Sequence, residues 1–150
     1  MKPKIKIRQL YYGDLRDRGI SFLETLSALK PTTLNSVELA NIYRKRISKI
    51  RTFIALVHEH GEAMKIVGTV SLMLEQKFIN NGGICGHIED MAVHKDYQGQ
   101  GIGKLLLEHS IKYARKNKAY KIILDCEDKV IPFYMKQGFV LWQNSLRLDL

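Results

Sequence analysis

The spacing of apolar residues along the chain divides it into short segments of alternating period. Residues 5–10 set Ile5 and Ile7 against Lys6 and Arg8, a two-residue period that predicts an edge-like strand. Apolar positions at Leu15, Gly19, Phe22, Leu23, Leu26 and Leu29 draw one stripe along a helix that starts at Asp14 and is stopped by Pro31. A second helix, capped by Asn35 or Ser36, places Leu39, Ile42, Tyr43, Ile47 and Ile50 on one face. Residues 53–58 and 64–78 read as strands joined by a turn at His60, Gly61 and Glu62. The break at residues 80–83, two asparagines then two glycines, reads as a hairpin turn returning into a strand at 84–93. Residues 101–117 form a long helix on Ile102, Leu105, Leu106, Ile111 and Ala114, followed by a strand at 120–126. A short helix at 133–137 ends at Gly138, and residues 139–150 read as a last strand. The order β-α-α-β-β-β-α-β-α-β predicts an α/β (α+β) fold, a mixed central sheet flanked by helices.

Length and composition narrow this picture. At 150 residues and 45% apolar content the chain suits one domain over 1–150, with no linker, repeat or low-complexity tract. Residues 1–10 lack the apolar stretch of a signal peptide, and no run approaches the roughly 18 to 20 apolar residues that span a bilayer. A cytoplasmic protein without a membrane span is the expectation. Cys85 and Cys126 stand apart with no CxxC spacing and read as small hydrophobes. His58 and His60 share a strand face but lack a third ligand, so no metal is expected. The formal charge of +9 attracts anions of any kind, from polynucleotides to small phosphorylated metabolites. Arg44, Lys45, Arg46, Lys49 and Arg51 could serve a nucleic-acid surface, but a solvated helix face is the simpler reading, and no nucleic-acid partner is expected.

The most informative segment is Gln98-Gly99-Gln100-Gly101-Ile102-Gly103-Lys104, which follows a strand and opens a helix. Glycines there let successive backbone N–H groups converge on an anion, and the helix start adds its positive dipole end. A Rossmann fingerprint needs a glycine where Lys104 stands, and a Walker A loop needs Ser or Thr where Leu105 stands. Both fail. The pattern left, Gln98, Gly101 and Gly103, resembles the acyl-CoA pyrophosphate loop of the GNAT superfamily. Phe133-Tyr134-Met135-Lys136-Gln137-Gly138-Phe139 is similar to that superfamily's F-Y-x-x-x-G-F element. The resemblance implies a GNAT fold that binds acetyl-CoA as acetyl donor. Backbone groups of Met91, Ala92 and Val93 would pair with the pantetheine arm. Gln98, Gly99, Gln100, Gly101, Ile102, Gly103 and Lys104 would hold the pyrophosphate, with Tyr134 and Lys136 completing the coenzyme set.

The runs Glu75-Gln76-Lys77-Phe78-Ile79-Asn80, Gly86-His87-Ile88-Glu89-Asp90 and Tyr120-Lys121-Ile122-Ile123-Leu124-Asp125-Cys126 sharpen the likeness. Together with the glycine loop they resemble the glucosamine-6-phosphate N-acetyltransferases. That resemblance implies acetylation of glucosamine 6-phosphate on the way to UDP-N-acetylglucosamine, by direct attack, in a homodimer with shared sugar sites whose C-terminal strands cross the partner. Glu89 and Asp90 would bind the sugar hydroxyls and amine region. Lys77, Phe78, Ile79 and Asn80 would shape the sugar or phosphate pocket, and Tyr120, Lys121 and Asp125 would complete it. Asp125 would orient the amine through its backbone carbonyl, Tyr134 would assist thiolate departure, and Glu89 would be catalytic with them. Adjacent acids in an apolar strand face opposite ways, so one of Glu89 and Asp90 must be partnered or line a cavity. The chain departs from the family pattern in places: Lys30, Thr32 or Thr33 stands for a small hydroxyl residue, Val130 for an asparagine, and Pro132 enters a first helical turn. The terminal basic residue is Arg147 or is absent, since Asp149 holds the ungapped position. A GNAT enzyme for another small or protein amine is the alternative, and a basic nucleic-acid-binding module the alternative of a different class.

Overall fold

The computed structural model describes residues 4–58, 61 and 63–150. Of the expected turn at His60, Gly61 and Glu62, only Gly61 falls within the described residues. The elements run β1 (Lys4–Gln9), α1 (Tyr12–Ser27), α2 (Ser36–Arg46), β2 (Ile50–His58), β3 (Lys65–Gln76), α3 (Ile79–Gly82), β4 (Ile84–Val93), α4 (Ile102–Lys116), β5 (Ala119–Ile123) and α5 (Ile131–Met135). The strands form one sheet in the order β1-β2-β3-β4-β5, antiparallel up to β4 and parallel between β4 and β5. That makes the sheet mixed, as the sequence predicts.

Alternation along β2 shows how the layers are built. Phe53, Ala55 and Val57 face α4, where Ile102, Leu106 and Leu107 are buried. Ile54 and Leu56 face the other way, against Leu15 and Phe22 of α1 and Leu39 of α2. Gly68 of β3 brings α4 close: a Cβ there would lie 2.8 Å from Leu106 Cδ1 and 2.9 Å from Ile102 Cγ2. A side chain at 68 would force Ile102 and Leu106 to shift at the start of α4, the helix that the glycine loop opens.

Caps fix the helix starts. Asn35 accepts from the N–H groups of Val37 and Glu38, while Glu38 accepts from Asn35 N–H at 2.8 Å, a complete capping box. Helix α1 begins earlier than expected, at Tyr12, and Asp14 sits inside its first turn, accepting from Tyr11 N–H at 2.9 Å. Asp14 is also the hub of an ion cluster: Arg8 of β1 grips it in a fork at 2.6 and 2.7 Å, and Arg18 reaches it at 3.2 Å. The carboxylate is 4% exposed.

The hairpin turn takes a form the sequence did not specify. Asn80, Asn81 and Gly82 all have positive φ, so α3 is a left-handed turn, which asparagine and glycine tolerate best. The expected strand at 139–150 is not formed. A strand needs a neighbour to take its hydrogen bonds, and in the described chain this segment pairs with none, leaving Val140, Leu141, Trp142, Leu146 and Leu148 exposed. The short C-terminal helix starts two residues before the expected position, at Ile131, with Pro132 in its first turn.

Burial pushes the Asp14 carboxyl upward, but the hydrogen bonds from Arg8 and Tyr11 and the charges of Arg8 and Arg18 outweigh it and hold it below its ordinary value. Stability from this cluster is therefore present above the unfolded pKa, about 3.9, and is lost as pH falls through the lower folded value. We expect Asp14→Asn to destabilise the fold at pH 7 by about 3 kcal/mol, measured by urea unfolding. The deficit relative to the native chain should shrink below pH 4.

Candidate active site

The site begins where two parallel strands part. β4 and β5 pair from Ile84↔Ala119 to His87↔Ile123 and no further. From Ile88 to Val93 the edge of β4 that faces away from β3 has no strand partner among the described residues, so its backbone groups are open to an added extended chain. Opposite β3 the register jumps from Ser71↔Glu89 to Thr69↔Ala92, so Asp90 and Met91 together face Val70. This is a bulge, and Asp90 takes φ of 48° to make it, a left-handed conformation that aspartate tolerates better than most residues.

The glycine loop meets this opening. Gly99 and Gly101 have φ of 74° and 82°, and Gly101 is the residue that starts α4. Leu105 N–H is the first to bond back, to Gly101 O at 3.1 Å, leaving the donors of Ile102, Gly103 and Lys104 at the open helix end. The Gln98 amide donates to Val93 O at 3.1 Å, tying the loop to the end of β4. Gln100 donates to Asp96 O, and Lys104 lies on the surface 3.8 Å from Glu108. Left-handed glycines, free helix donors and an unpaired strand edge fit a coenzyme A pyrophosphate and pantetheine arm.

Helix α5 closes the gap from the other side. Tyr134 donates to Met91 Sδ at 3.5 Å and packs against Phe133 and Phe139. Gly103 lies beside Met91 and Phe133: a Cβ there would stand 3.4 Å from Met91 Cε and from Phe133 Cζ. Burial, with Cys126 nearby, pushes the Tyr134 phenol up, so it is a neutral donor at physiological pH. Lys136 is exposed just beyond α5, away from this contact.

The residues expected at the acceptor fall into two groups. At the bulge stand Glu89 and Asp90, both exposed, with Asp125 just beyond the end of β5. At the hairpin end stand Lys77, Phe78, Ile79 and Asn80, together with Lys121 opposite Cys85 and Tyr120, whose ring lies against Gly83. Lys77 and Ser71, the residue opposite Glu89, are six positions apart on β3 and its extension, about 20 Å at ~3.3 Å per residue. That span is longer than a monosaccharide phosphate, while Lys121, opposite Cys85, stands four positions from Glu89 along β4, about 13 Å at ~3.3 Å per residue. Arg147 is exposed and paired with Asp149 at 2.7 Å, on the terminal segment.

Sequence reasoning missed two participants. Glu75 accepts from Lys77 at 2.6 Å and pairs with His87 at 2.8 Å, and the hydrogen bonds from Lys77 and His87 hold its carboxyl low. The spacing of Glu75 and Lys77 on one strand face was a usable signal. The other is Arg46, which reaches Asp90 at 3.4 Å and so supplies the partner that the acid pair requires.

A parallel strand pair opened beside a glycine-built helix start defines the acyl-CoA-dependent acetyltransferase class. The model of the Acetyltransferase (GNAT) family matches residues 21–139, and the chain belongs to that family. It is similar to the glucosamine 6-phosphate N-acetyltransferase of Trypanosoma brucei brucei, at 39% identity over 147 residues, 97% of this chain and 96% of the relative. Among solved structures, a Trypanosoma brucei acetyltransferase superposes with a TM-score of 0.86 at 39% identity, over 98% of this chain and 100% of that one. The glucosamine-6-phosphate N-acetyltransferase of Arabidopsis thaliana superposes with a TM-score of 0.81 at 29% identity, over 98% and 97%. GNAT acetyltransferases use acetyl-CoA. Among the described residues no helix is long and apolar enough to cross a membrane, and no cluster of His, Cys, Asp and Glu could hold a metal ion.

A β-branched side chain at Gly101 would be forced into left-handed backbone. We expect Gly101→Val to weaken coenzyme A binding about tenfold or more by calorimetry, with far-ultraviolet circular dichroism unchanged.

Proposed function

We propose that this chain transfers the acetyl group of acetyl-CoA to the amine of D-glucosamine 6-phosphate, releasing N-acetyl-D-glucosamine 6-phosphate and coenzyme A. The observation that carries the reading is the acidic pair Glu89–Asp90, set by the bulge beside the opening that Tyr134 enters. The names of the relatives at 39% and 29% identity support the same substrate.

The chemistry needs a neutral amine aimed at the thioester carbonyl, and a proton for the departing thiolate. In the proposed ternary complex Glu89 and Asp90 hold the sugar hydroxyls and amine region, and the backbone carbonyl of Asp125 orients an amine N–H. The amine nitrogen attacks the carbonyl carbon and forms the C–N bond, the C–S bond breaks, the Tyr134 phenol gives its proton to the departing sulfur, and the proton shed by the nitrogen restores the phenol. No acetyl-enzyme is required. Partial desolvation, with Asp128 and Asp125 nearby, pushes the exposed Cys126 thiol up, which keeps it protonated at neutral pH and unsuited to nucleophilic attack.

The roughly 20 Å between the acidic pair and Lys77 favours a homodimer in which each sugar site takes Glu89 and Asp90 from one chain and the hairpin residues from the other. The exposed apolar segment at 139–150, beside a groove lined by Ile111, Ala119, Ile122 and Trp142, supports such pairing. In the pair, Lys77 and Lys121 are the cations suited to the phosphate, and Phe78, Ile79, Asn80 and Tyr120 the walls of the pocket.

Thiol release from acetyl-CoA should be fastest with glucosamine 6-phosphate in a panel with glucosamine and lysine peptides; equal rates across the panel would refute the assignment. Replacing Tyr134 by Phe should lower kcat about a hundredfold while the acetyl-CoA KM holds. An unchanged kcat would reassign Tyr134 to packing.

A further inference from the structure

The basic run at the end of α2 is not one solvated face. Arg44 lies over the Tyr12 ring at 5.2 Å and bonds Asn41, both on the outer surface. Arg46 turns the other way, toward the sheet. Its guanidinium donates to Ser71 Oγ at 2.8 Å and to Asp90 Oδ2 at 3.4 Å. Ser71 is 2% exposed and shares a further hydrogen bond with Thr52 Oγ1 at 3.1 Å. It is also the residue opposite Glu89. One side chain thus touches the bulged acid directly and the register partner of its neighbour.

Arg46, Ser71, Thr52 and Asp90 lie on a cavity of about 200 Å³ whose other lining side chains, from α1, α2 and the sheet, are mostly apolar. The Arg46 side chain is 33% exposed and that of Asp90 51%, so solvent screens their ion pair in part, while the Ser71 hydroxyl that Arg46 also grips is buried. Asp90 needs such a hold, because its left-handed backbone is supported by no second ion pair among the described residues.

The geometry points to Arg46 as a positioning residue for the acceptor: it fixes the Asp90 carboxylate, and through Ser71 the strand at Glu89, in the orientation that receives the amino sugar. This inference rests on the acceptor reading proposed above. The hydrogen bonds of Arg46 go to Ser71 and Asp90 and, among the described residues, none goes to Met91 or the glycine loop, so its influence falls on the acceptor side and not on the coenzyme side.

The test is steady-state kinetics on the full chain with acetyl-CoA and glucosamine 6-phosphate. Arg46→Met is expected to raise the acceptor KM roughly five- to tenfold with the acetyl-CoA KM unchanged, and Arg46→Lys to restore most of the loss, because an ammonium can still donate to both oxygens. A purely structural role would instead lower the active fraction and leave both KM values in place, which overturns the inference. In the Asp90→Asn background, whose amide tolerates the left-handed backbone, both the Arg46→Met and the Arg46→Lys effects on the acceptor should largely vanish. Full additivity overturns the inference, and the Arg46→Lys arm decides it should Arg46→Met fail to fold. Failure of the substrate reading shows separately, as a native chain with no preference for glucosamine 6-phosphate.

Discussion

The site depends on a sheet that stops pairing in its middle. β4 and β5 are bonded for the length of β5 and then separate, which leaves the second half of β4 with open backbone groups beside a helix start. An unpaired stretch of this kind is costly unless something else fixes the strand. Here the opposite edge of β4 remains tied to β3, Gln98 bonds the Val93 carbonyl, and Tyr134 reaches Met91 from α5. The close approach of α4 at Gly68 holds the first helical turn against the same strands. The opening is thus braced on every side except the one that an extended ligand would fill.

The bulge at Asp90 adds a second consequence. In a regular strand Glu89 and Asp90 would face opposite layers, one toward α2 and one toward α4. With Asp90 left-handed, its carboxylate reaches Arg46 on the α2 side, the side that also holds Ser71 opposite Glu89. Both acids are exposed beside the opening, in a chain whose net charge is +9. A local negative site in a positive protein suits the substrate proposed above, whose amine and phosphate carry opposite charges.

Much of this was legible because glycine and alternation carry it. The loop from Gln98 to Gly103 could be read because positive φ at Gly99 and Gly101 requires glycine, and the layers because β2 alternates so cleanly between Phe53, Ala55 and Val57 and Ile54 and Leu56. The bulge was not legible, since it depends on register against Val70 and nothing in the sequence near Asp90 marks an extra residue. Arg46 was hidden for a related reason: within a run of cations, only the rotation of α2 decides which one points at the sheet. The segment at 139–150 has the pattern of a strand but no strand beside it in the described chain, and pattern alone cannot supply a neighbour.

The arrangement of charge along the β3–β4 hairpin gives the proposed pairing of chains a chemical reason. A carboxylate pair near the amine and cations near the phosphate suit one substrate, but placed side by side on one strand they would neutralise each other, as Glu75 already does with Lys77. Keeping the acids at the bulge and Lys77 at the hairpin end separates them by about 20 Å, with Lys121 about 13 Å from Glu89. Two chains set side by side in opposite senses would then bring the bulge of one against the hairpin of the other, so that the charges meet across a substrate and not across a salt bridge. On that reading the exposed Phe78 and Ile79 are groups waiting for the partner's pocket, and association becomes a condition for binding the sugar phosphate at both ends.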